Sequence, residues 1–132
     1  MISRILITFC VIIFAVVVPI LEVNASHVFN SSWPAHARFH EVWQLITNCG
    51  IGLLCLWMVW LKNRVQLASF LVVLVMGSIL LAYAIQDFYG GSVLSGNMSA
   101  TILGMELVVF AASVTVVIAI SAAILESRQK IE

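Results

Sequence analysis

The sequence predicts an all-α integral membrane protein, a four-helix bundle whose two termini lie on the cytoplasmic side. Hydrophobic residues make up 63% of the 132 residues and charged residues 9%, and the mean hydropathy is +1.15. These values lie far outside the range of soluble domains. Four apolar stretches are each long enough, at about 17–25 residues, to cross the hydrocarbon core as a helix. Most lysines and arginines fall in segments that four alternating spans bring to one side.

The predicted spans cover residues 5–21, 42–61, 67–85 and 101–125, with outer loops at 22–41 and 86–100. The connections are too short for a separate soluble domain, so residues 1–132 form a single transmembrane domain. The lipid bilayer is the first predicted partner. A net charge of zero, without a basic stripe carrying interleaved aromatics, excludes nucleic-acid binding.

The first span has an alternative interpretation as a signal peptide. Arg4 precedes an apolar run that ends near Val23-Asn-Ala25, a pattern of small residues before a cleavage point. Against cleavage, the run is longer than a usual signal core, and Pro19 is tolerated in a membrane helix. Cleavage would leave three spans with the new N-terminus outside.

The positions of the basic residues predict the orientation. The chain has six lysines and arginines, and all but one precede the first span, connect the second to the third, or follow the fourth: Arg4, Lys62, Arg64, Arg128 and Lys130. These segments are therefore predicted to be cytoplasmic. Arg38 lies alone on the opposite side and is expected to have a specific partner there. Asn-x-Ser sequons at Asn24, Asn30 and Asn97 also fall in the predicted outer loops.

All three histidines lie in residues 27–41, in the first outer loop and the start of the second span. Ser32-Trp-Pro34 has the pattern of a helix start, with Ser32 as the expected N-cap and Pro34 in the first turn. From there a polar stripe recurs every four residues: His36, His40, Gln44, Asn48 and Gly52. This spacing places the stripe along one gently drifting helix face, which is predicted to face the bundle interior or a wet cavity because polar groups are costly in lipid.

Acidic residues are predicted at the same depth on other spans. Glu22 ends the first span, Asp87 follows the third, and Glu106 is expected about one turn inside the fourth, where Arg38 is its expected counter-charge. The sequence thus predicts a polar pocket at the outer interface. Its candidate residues are His27, Asn30, Trp33, His36, Arg38, His40, Gln44, Asn48, Asp87 and Glu106.

Each candidate also has a structural interpretation. Gln and Asn in membrane helices commonly make interhelical hydrogen bonds, and Glu106 could form a structural salt bridge or be a neutral acid. A metal site is the sharpest alternative: His36 and His40, at i and i+4, could bind one ion. His27 and an acid, which is Glu41, Glu22 or Glu106, could complete three or four ligands. Such ligands suit zinc, copper or iron. Glu41 is expected to diverge from His40 by about 100° around the helix and so to contribute less.

The histidine segment carries a resemblance. The run His27-Val-Phe-Asn30, followed by Trp33-Pro34 and His36-Ala-Arg-Phe-His40, resembles the H-x-F-N-x-x-W-P-x-H-A-R-F-H signature of a family of small, functionally uncharacterised four-span membrane proteins of bacteria and fungi. The resemblance implies a four-span fold and marks these motif positions for testing. It implies no activity. A looser likeness, in span number and in the acids at the helix ends, is to the sterol-isomerase and sigma-2-receptor superfamily.

Three functions remain open at this point. The first is a binding or accessory membrane protein whose pocket holds a small ligand, a lipid or a metal. The second is a membrane enzyme on a lipid-like substrate, with His36 or His40 as acid or base opposite Glu106 or Asp87. The third is a proton relay along the polar stripe. Small residues recur at four-residue spacing on the fourth span, at Ala111, Thr115, Ala119 and Ala123. This ladder predicts a close helix contact and is compatible with a homo-oligomer or a larger membrane complex.

Overall fold

The computed structural model describes residues 1–94 and 101–129 and contains four helices long and apolar enough to span a membrane. The spanning helices cover Ile2–Glu22, Ala35–Trp60, Val65–Ala84 and Leu107–Gln129. This confirms the predicted all-α bundle of four spans. A short helix, α5 (Gln86–Tyr89), follows the third spanning helix, and a two-stranded hairpin, β1 (Thr101–Ile102) and β2 (Met105–Glu106), precedes the fourth. The predicted sequon at Asn97 and the basic residue Lys130 lie outside the described residues.

The first spanning helix is interrupted by a wide turn. It consists of α1 (Ile2–Ile12), a π-helical turn (Ile13–Val17) and α2 (Val18–Glu22). Pro19 has no backbone N–H, so it cannot donate to the carbonyl of Ala15, four residues earlier. The Cys49 thiol of the second spanning helix donates to that carbonyl instead, with an S···O distance of 3.3 Å. Proline thus accounts for the wide turn, and a neighbouring helix satisfies the carbonyl that the turn leaves free.

The second spanning helix, α3 (Ala35–Trp60), begins seven residues before the predicted start at residue 42. Pro34 is its N-cap residue, and the carbonyl of Pro34 accepts the first helical hydrogen bonds from Ala37 and Arg38. No side chain caps this end, so the expected capping role of Ser32 is wrong. The third spanning helix, α4 (Val65–Ala84), lies within two residues of its predicted bounds.

The fourth spanning helix, α6 (Leu107–Gln129), begins six residues later than predicted. Leu103 and Gly104 both have positive φ, 54° and 78°, and form the tight turn of the β1–β2 hairpin. Glu106 therefore lies on β2, not one turn inside the helix, which corrects its predicted position. The hairpin was not predictable from the sequence, because its turn is Leu-Gly within an apolar run. An Asn-Gly or Asp-Gly pair, the usual signal of such a turn, is missing at this position.

Small residues set the helix spacing in the core. Ala112, Thr115, Ala119 and Ala122 of α6 are buried against α1 and α4, and the Cys10 thiol donates to the Thr115 carbonyl. Of the predicted ladder, Thr115 and Ala119 are buried in this contact, whereas Ala111 and Ala123 are half-buried. Gly52 of α3 gives a second close approach: a Cβ added there would lie 2.5 Å from the Cβ of Ala15.

Polar contacts join the chain segments at the end of the bundle opposite the histidines. Arg4 donates to the Asn63 side chain at 2.9 Å, Gln66 donates to Ser127 at 2.8 Å, and Ser3 donates to buried Glu126 at 2.7 Å. We call this the basic end, because Arg4, Arg64 and Arg128 lie there. The opposite end, which carries His27, is called the histidine end.

Candidate functional site: the cavity at the histidine end

A cavity of about 540 Å³ lies at the histidine end, lined by all four spanning helices. This volume falls within the roughly 300–1,000 Å³ of small-molecule sites. The polar lining comes almost entirely from one stretch of chain, residues 22–44: Glu22, Ser26, His27, Asn30, Glu41 and Gln44, with Ser92 added from the segment after α5. The cavity is therefore polar on one side and apolar elsewhere.

The apolar part of the cavity extends toward the middle of the bundle. Ile13 and Val17 line it from the π-helical turn, Met76 and Ile79 from α4, and Ala111 from α6. Ile13 precedes Glu22 by nine residues, which places it roughly 12 Å deeper along the helix. A bound molecule would therefore meet charge at the membrane surface and hydrocarbon below it.

His27 and Glu22 form the charged centre of the polar side. His27 Nε2 lies 2.9 Å from Glu22 Oε2, and the side chains are 13% and 14% exposed. The Glu22 oxygen is buried and lacks a hydrogen bond of good geometry within the described part of the chain, so the ion contact with His27 compensates for its burial. Glu41 interacts electrostatically with both residues.

The loop between the first two spanning helices determines which nitrogen of His27 carries a proton. Asn24 Nδ2 donates to the Leu21 carbonyl, which orients the amide so that Asn24 Oδ1 accepts the Ser26 hydroxyl proton at 2.6 Å. Ser26 Oγ has no second proton, so at 2.8 Å it accepts from His27 Nδ1. Nδ1 is thus protonated, and Nε2 faces the Glu22 carboxyl.

With Nδ1 protonated, the 2.9 Å contact between His27 Nε2 and Glu22 Oε2 requires a proton on one of the two groups. The pair is either imidazolium and carboxylate or neutral imidazole and carboxylic acid, because two bare lone pairs at 2.9 Å would repel. In both forms the net charge of the pair is zero. Glu41, when ionised, therefore gives the polar side of the cavity a net charge of −1.

Two of the predicted sequons build this loop. Asn24 and Asn30 each accept, through Oδ1, from the backbone N–H and the hydroxyl of the serine two residues later, Ser26 and Ser32. These are Asx turns, which the Asn-x-Ser pattern also favours. Asn30 Nδ2 additionally donates to the Ser26 carbonyl at 2.8 Å, which ties the second turn to the first. The two asparagines thus have a structural role in holding His27.

The sequence candidates divide between the cavity and other surfaces. His27, Asn30, Trp33 and Gln44 line the cavity, and the Trp33 ring meets the His27 ring edge-on at 5.5 Å between centroids. His36 and His40 are exposed and do not line it, whereas Asn48 is half-buried deeper on α3.

Helical geometry explains this division of the polar stripe. Each step of four residues advances about 40° around an α-helix, so His36 and Gly52 differ by about 160°. Gly52 is buried against the first spanning helix, and His36 is exposed. The stripe turns from the surface into the bundle and does not keep to one face.

Arg38, Asp87 and Glu106 do not line the cavity. Asp87 is exposed on α5, and Arg38 and Glu106 are half-buried. Within residues 1–94 and 101–129, no ion pair joins Arg38 to Glu106. The predicted counter-charge for Arg38 is therefore not formed. Nor is the predicted acid-base arrangement, since His36 and His40 are exposed and do not converge on a buried acid.

The three histidines do not converge either. In the described residues there is no group of three His, Cys, Asp or Glu side chains arranged to hold a metal ion. His27 faces the cavity, whereas His36 and His40 form a separate surface pair. The predicted site of three histidines for zinc, copper or iron is thus without structural support.

The residues that sequence reasoning undervalued are Glu41 and Glu22. The sequence predicts a minor role for Glu41 in a site with His40, because the two side chains diverge around the helix. In the structure that divergence turns Glu41 toward the cavity. The available signal was its spacing from Gln44 and Leu45, at i+3 and i+4, which places all three on one helix face.

The polar stripe of α3 ends in the middle of the helix. Toward the basic end, the side chains that α3 buries are apolar: Cys55, Met58 and Val59. The relay hypothesis therefore gains no support.

The fold fits one class, the multi-pass α-helical membrane proteins, and a cavity lies between the spanning helices. Comparisons with family models, curated proteins and solved structures find no match to this chain. The resemblance to the uncharacterised four-span family stays a prediction.

Proposed function

We propose that this protein binds an amphipathic small molecule or lipid with a cationic head in the cavity at the histidine end. The observation that carries the proposal is the joint position of Glu22, His27 and Glu41 at the mouth of a deep apolar cavity. An amine or ammonium group would pair with the acidic side, and an alkyl or ring portion would fill the space between Ile13 and Met76.

The charge balance supports a cation over an anion or a neutral head. The His27–Glu22 pair is neutral overall, so a positive charge on the ligand would stabilise Glu41 in its ionised form in this partly buried site. An anionic head would add a second negative charge close to Glu41. A like charge at such a distance is unfavourable by several kcal/mol at low dielectric.

Intrinsic fluorescence tests whether the cavity takes such a molecule. Bromine quenches tryptophan at short range, and Trp33 lines the cavity. We expect 12-bromododecylamine to quench the wild-type protein in nanodiscs more than Trp33→Phe, and the difference to saturate. 12-Bromododecanol, the matched neutral probe, should give little saturable difference. Equal quenching in both proteins would place the probe in bulk lipid and contradict the proposal.

We further propose that the histidine end faces the non-cytoplasmic side. The basic end gathers Arg4, Arg64 and Arg128, as short cytoplasmic segments do. Phe88 and Leu61 are 92% and 73% exposed, at the histidine and basic ends respectively. In intact cells a membrane-impermeant maleimide should label Phe88→Cys, and should label Leu61→Cys only after permeabilisation. The reverse pattern would invert the orientation.

A further inference from the structure

A pair of histidines on the surface of α3 is not part of the cavity. We propose that His36 and His40 form a two-imidazole chelate for a divalent transition-metal ion, copper(II) above all, at the histidine end. The pair uses no residue of the cavity, so this inference is independent of the proposed function.

The distance between the two Nε2 atoms fits the chelation of one metal ion. His36 Nε2 and His40 Nε2 lie 2.9 Å apart. Two nitrogens bound at about 2.0–2.1 Å, at a right angle about one ion, are about 2.9 Å apart. That right angle is the arrangement of neighbouring ligands in the tetragonal geometry of copper(II). In the metal-free pair one proton is shared between the nitrogens, and a metal ion would replace it.

Neighbouring aromatic rings restrict the pair. The His40 ring stacks on Trp43 with 5.6 Å between centroids and 30° between planes, and Phe39 meets His40 edge-on at 6.1 Å. These contacts hold His40 on the same side as His36. Arg38 lies about 160° around the helix from both histidines, so its charge is directed away from the bound ion.

Water would complete the coordination. In the described part of the chain no third His, Cys, Asp or Glu joins these two histidines. Two imidazoles favour borderline ions over calcium or magnesium, and copper(II) binds such donors more tightly than nickel or zinc. The site is therefore an open, surface-exposed one that exchanges its ion with the surrounding solution.

Titration of the purified full-length protein with Cu²⁺, followed by electron paramagnetic resonance, tests the chelate. We expect a bound species with two equatorial imidazole nitrogens. His36→Ala and His40→Ala should each weaken its affinity by about tenfold or more, because one donor of the chelate is lost. His27→Ala is the matched control, since it removes the cavity histidine, and should leave the affinity unchanged.

A second readout uses the stacked tryptophan. Bound Cu²⁺ should quench Trp43, and Trp43→Phe should remove that part of the quenching while leaving the two-nitrogen spectrum. Circular dichroism of each variant checks that the helix is intact. Unchanged affinity in both His36→Ala and His40→Ala, or loss of the species in His27→Ala, would overturn the proposal. His36→Ala, His40→Ala and Trp43→Phe should bind 12-bromododecylamine as the wild type does. The proposals for the cavity and for the copper site are therefore tested separately.

Discussion

Replacing Glu41 with glutamine is expected to weaken the binding of a long-chain amine by roughly 10- to 100-fold. A hydrogen bond to a charged group in a protein contributes about 1.5–3 kcal/mol, and each factor of ten in affinity corresponds to about 1.4 kcal/mol. Glu41 lines the cavity and is a second carboxyl group beside the His27–Glu22 pair. Glutamine keeps the size and polarity of the side chain and removes only the charge.

The controls separate charge from shape. Binding of the matched long-chain alcohol should change little in Glu41→Gln, because an alcohol does not need the carboxylate. Gln44→Glu, one turn further along α3 and also lining the cavity, should strengthen amine binding by adding a second acid. Titration of Trp33 quenching measures all of these. An equal loss of amine and alcohol in Glu41→Gln would mean that the cavity had collapsed and that charge is not the determinant.

Gly52→Ala is expected to destabilise the helix bundle. The added Cβ would lie 2.5 Å from the Cβ of Ala15 and 3.2 Å from a methyl group of Val11. Because the Ala15 Cβ is fixed to the backbone, the two helices must separate. Overpacking of this kind costs typically about 1–3 kcal/mol.

Gly50→Ala provides the same chemical change on the same helix without the clash. Apart from its two chain neighbours and the backbone of its own helix, no described residue has an atom within 4 Å of a Cβ added at Gly50. This variant should keep or gain stability, since alanine favours a helix over glycine by about 0.5–1 kcal/mol. Unfolding in detergent mixtures, followed by circular dichroism, gives the comparison. Ala15→Gly should restore most of the stability of Gly52→Ala, and an unrestored double variant would contradict the close-contact explanation.

A thiol probe adds a local readout of the same contact. The Cys49 thiol donates to the Ala15 carbonyl at 3.3 Å. If the helices separate in Gly52→Ala, Cys49 should react faster with a maleimide than it does in the wild type or in Gly50→Ala.

The four spans were predictable because the length and apolarity of a membrane helix follow from bilayer thickness. The residues at which the spans begin and end were less predictable. Pro34 allowed α3 to begin at Ala35, in a polar segment that hydropathy assigned to a loop. The Leu103-Gly104 turn placed a hairpin within an apolar run that hydropathy assigned to a span. At both ends local backbone chemistry, not hydropathy, determined the boundary.

The candidate site was predictable in its location and only partly in its members. A cluster of histidines and acids in a hydrocarbon-like chain indicated the histidine end, and His27, Asn30, Trp33 and Gln44 do line its cavity. The prediction that His36 and His40 line the cavity was wrong. Residues spaced by four advance about 40° around the helix at each step, so they do not share one face. The role of Glu22 depended on the fold of the loop that returns His27 to the end of the first spanning helix, and no local pattern encodes that contact.

The central claim is that a cationic amphiphile occupies the cavity with its head at Glu22 and Glu41. A crystal structure with 12-bromododecylamine, with the bromine located by anomalous scattering, tests this most directly. The account predicts one bromine peak between Ile13 and Met76, with the amine within hydrogen-bonding distance of Glu41. A bromine peak only on the lipid-facing surface, with the cavity free of the probe, would contradict it.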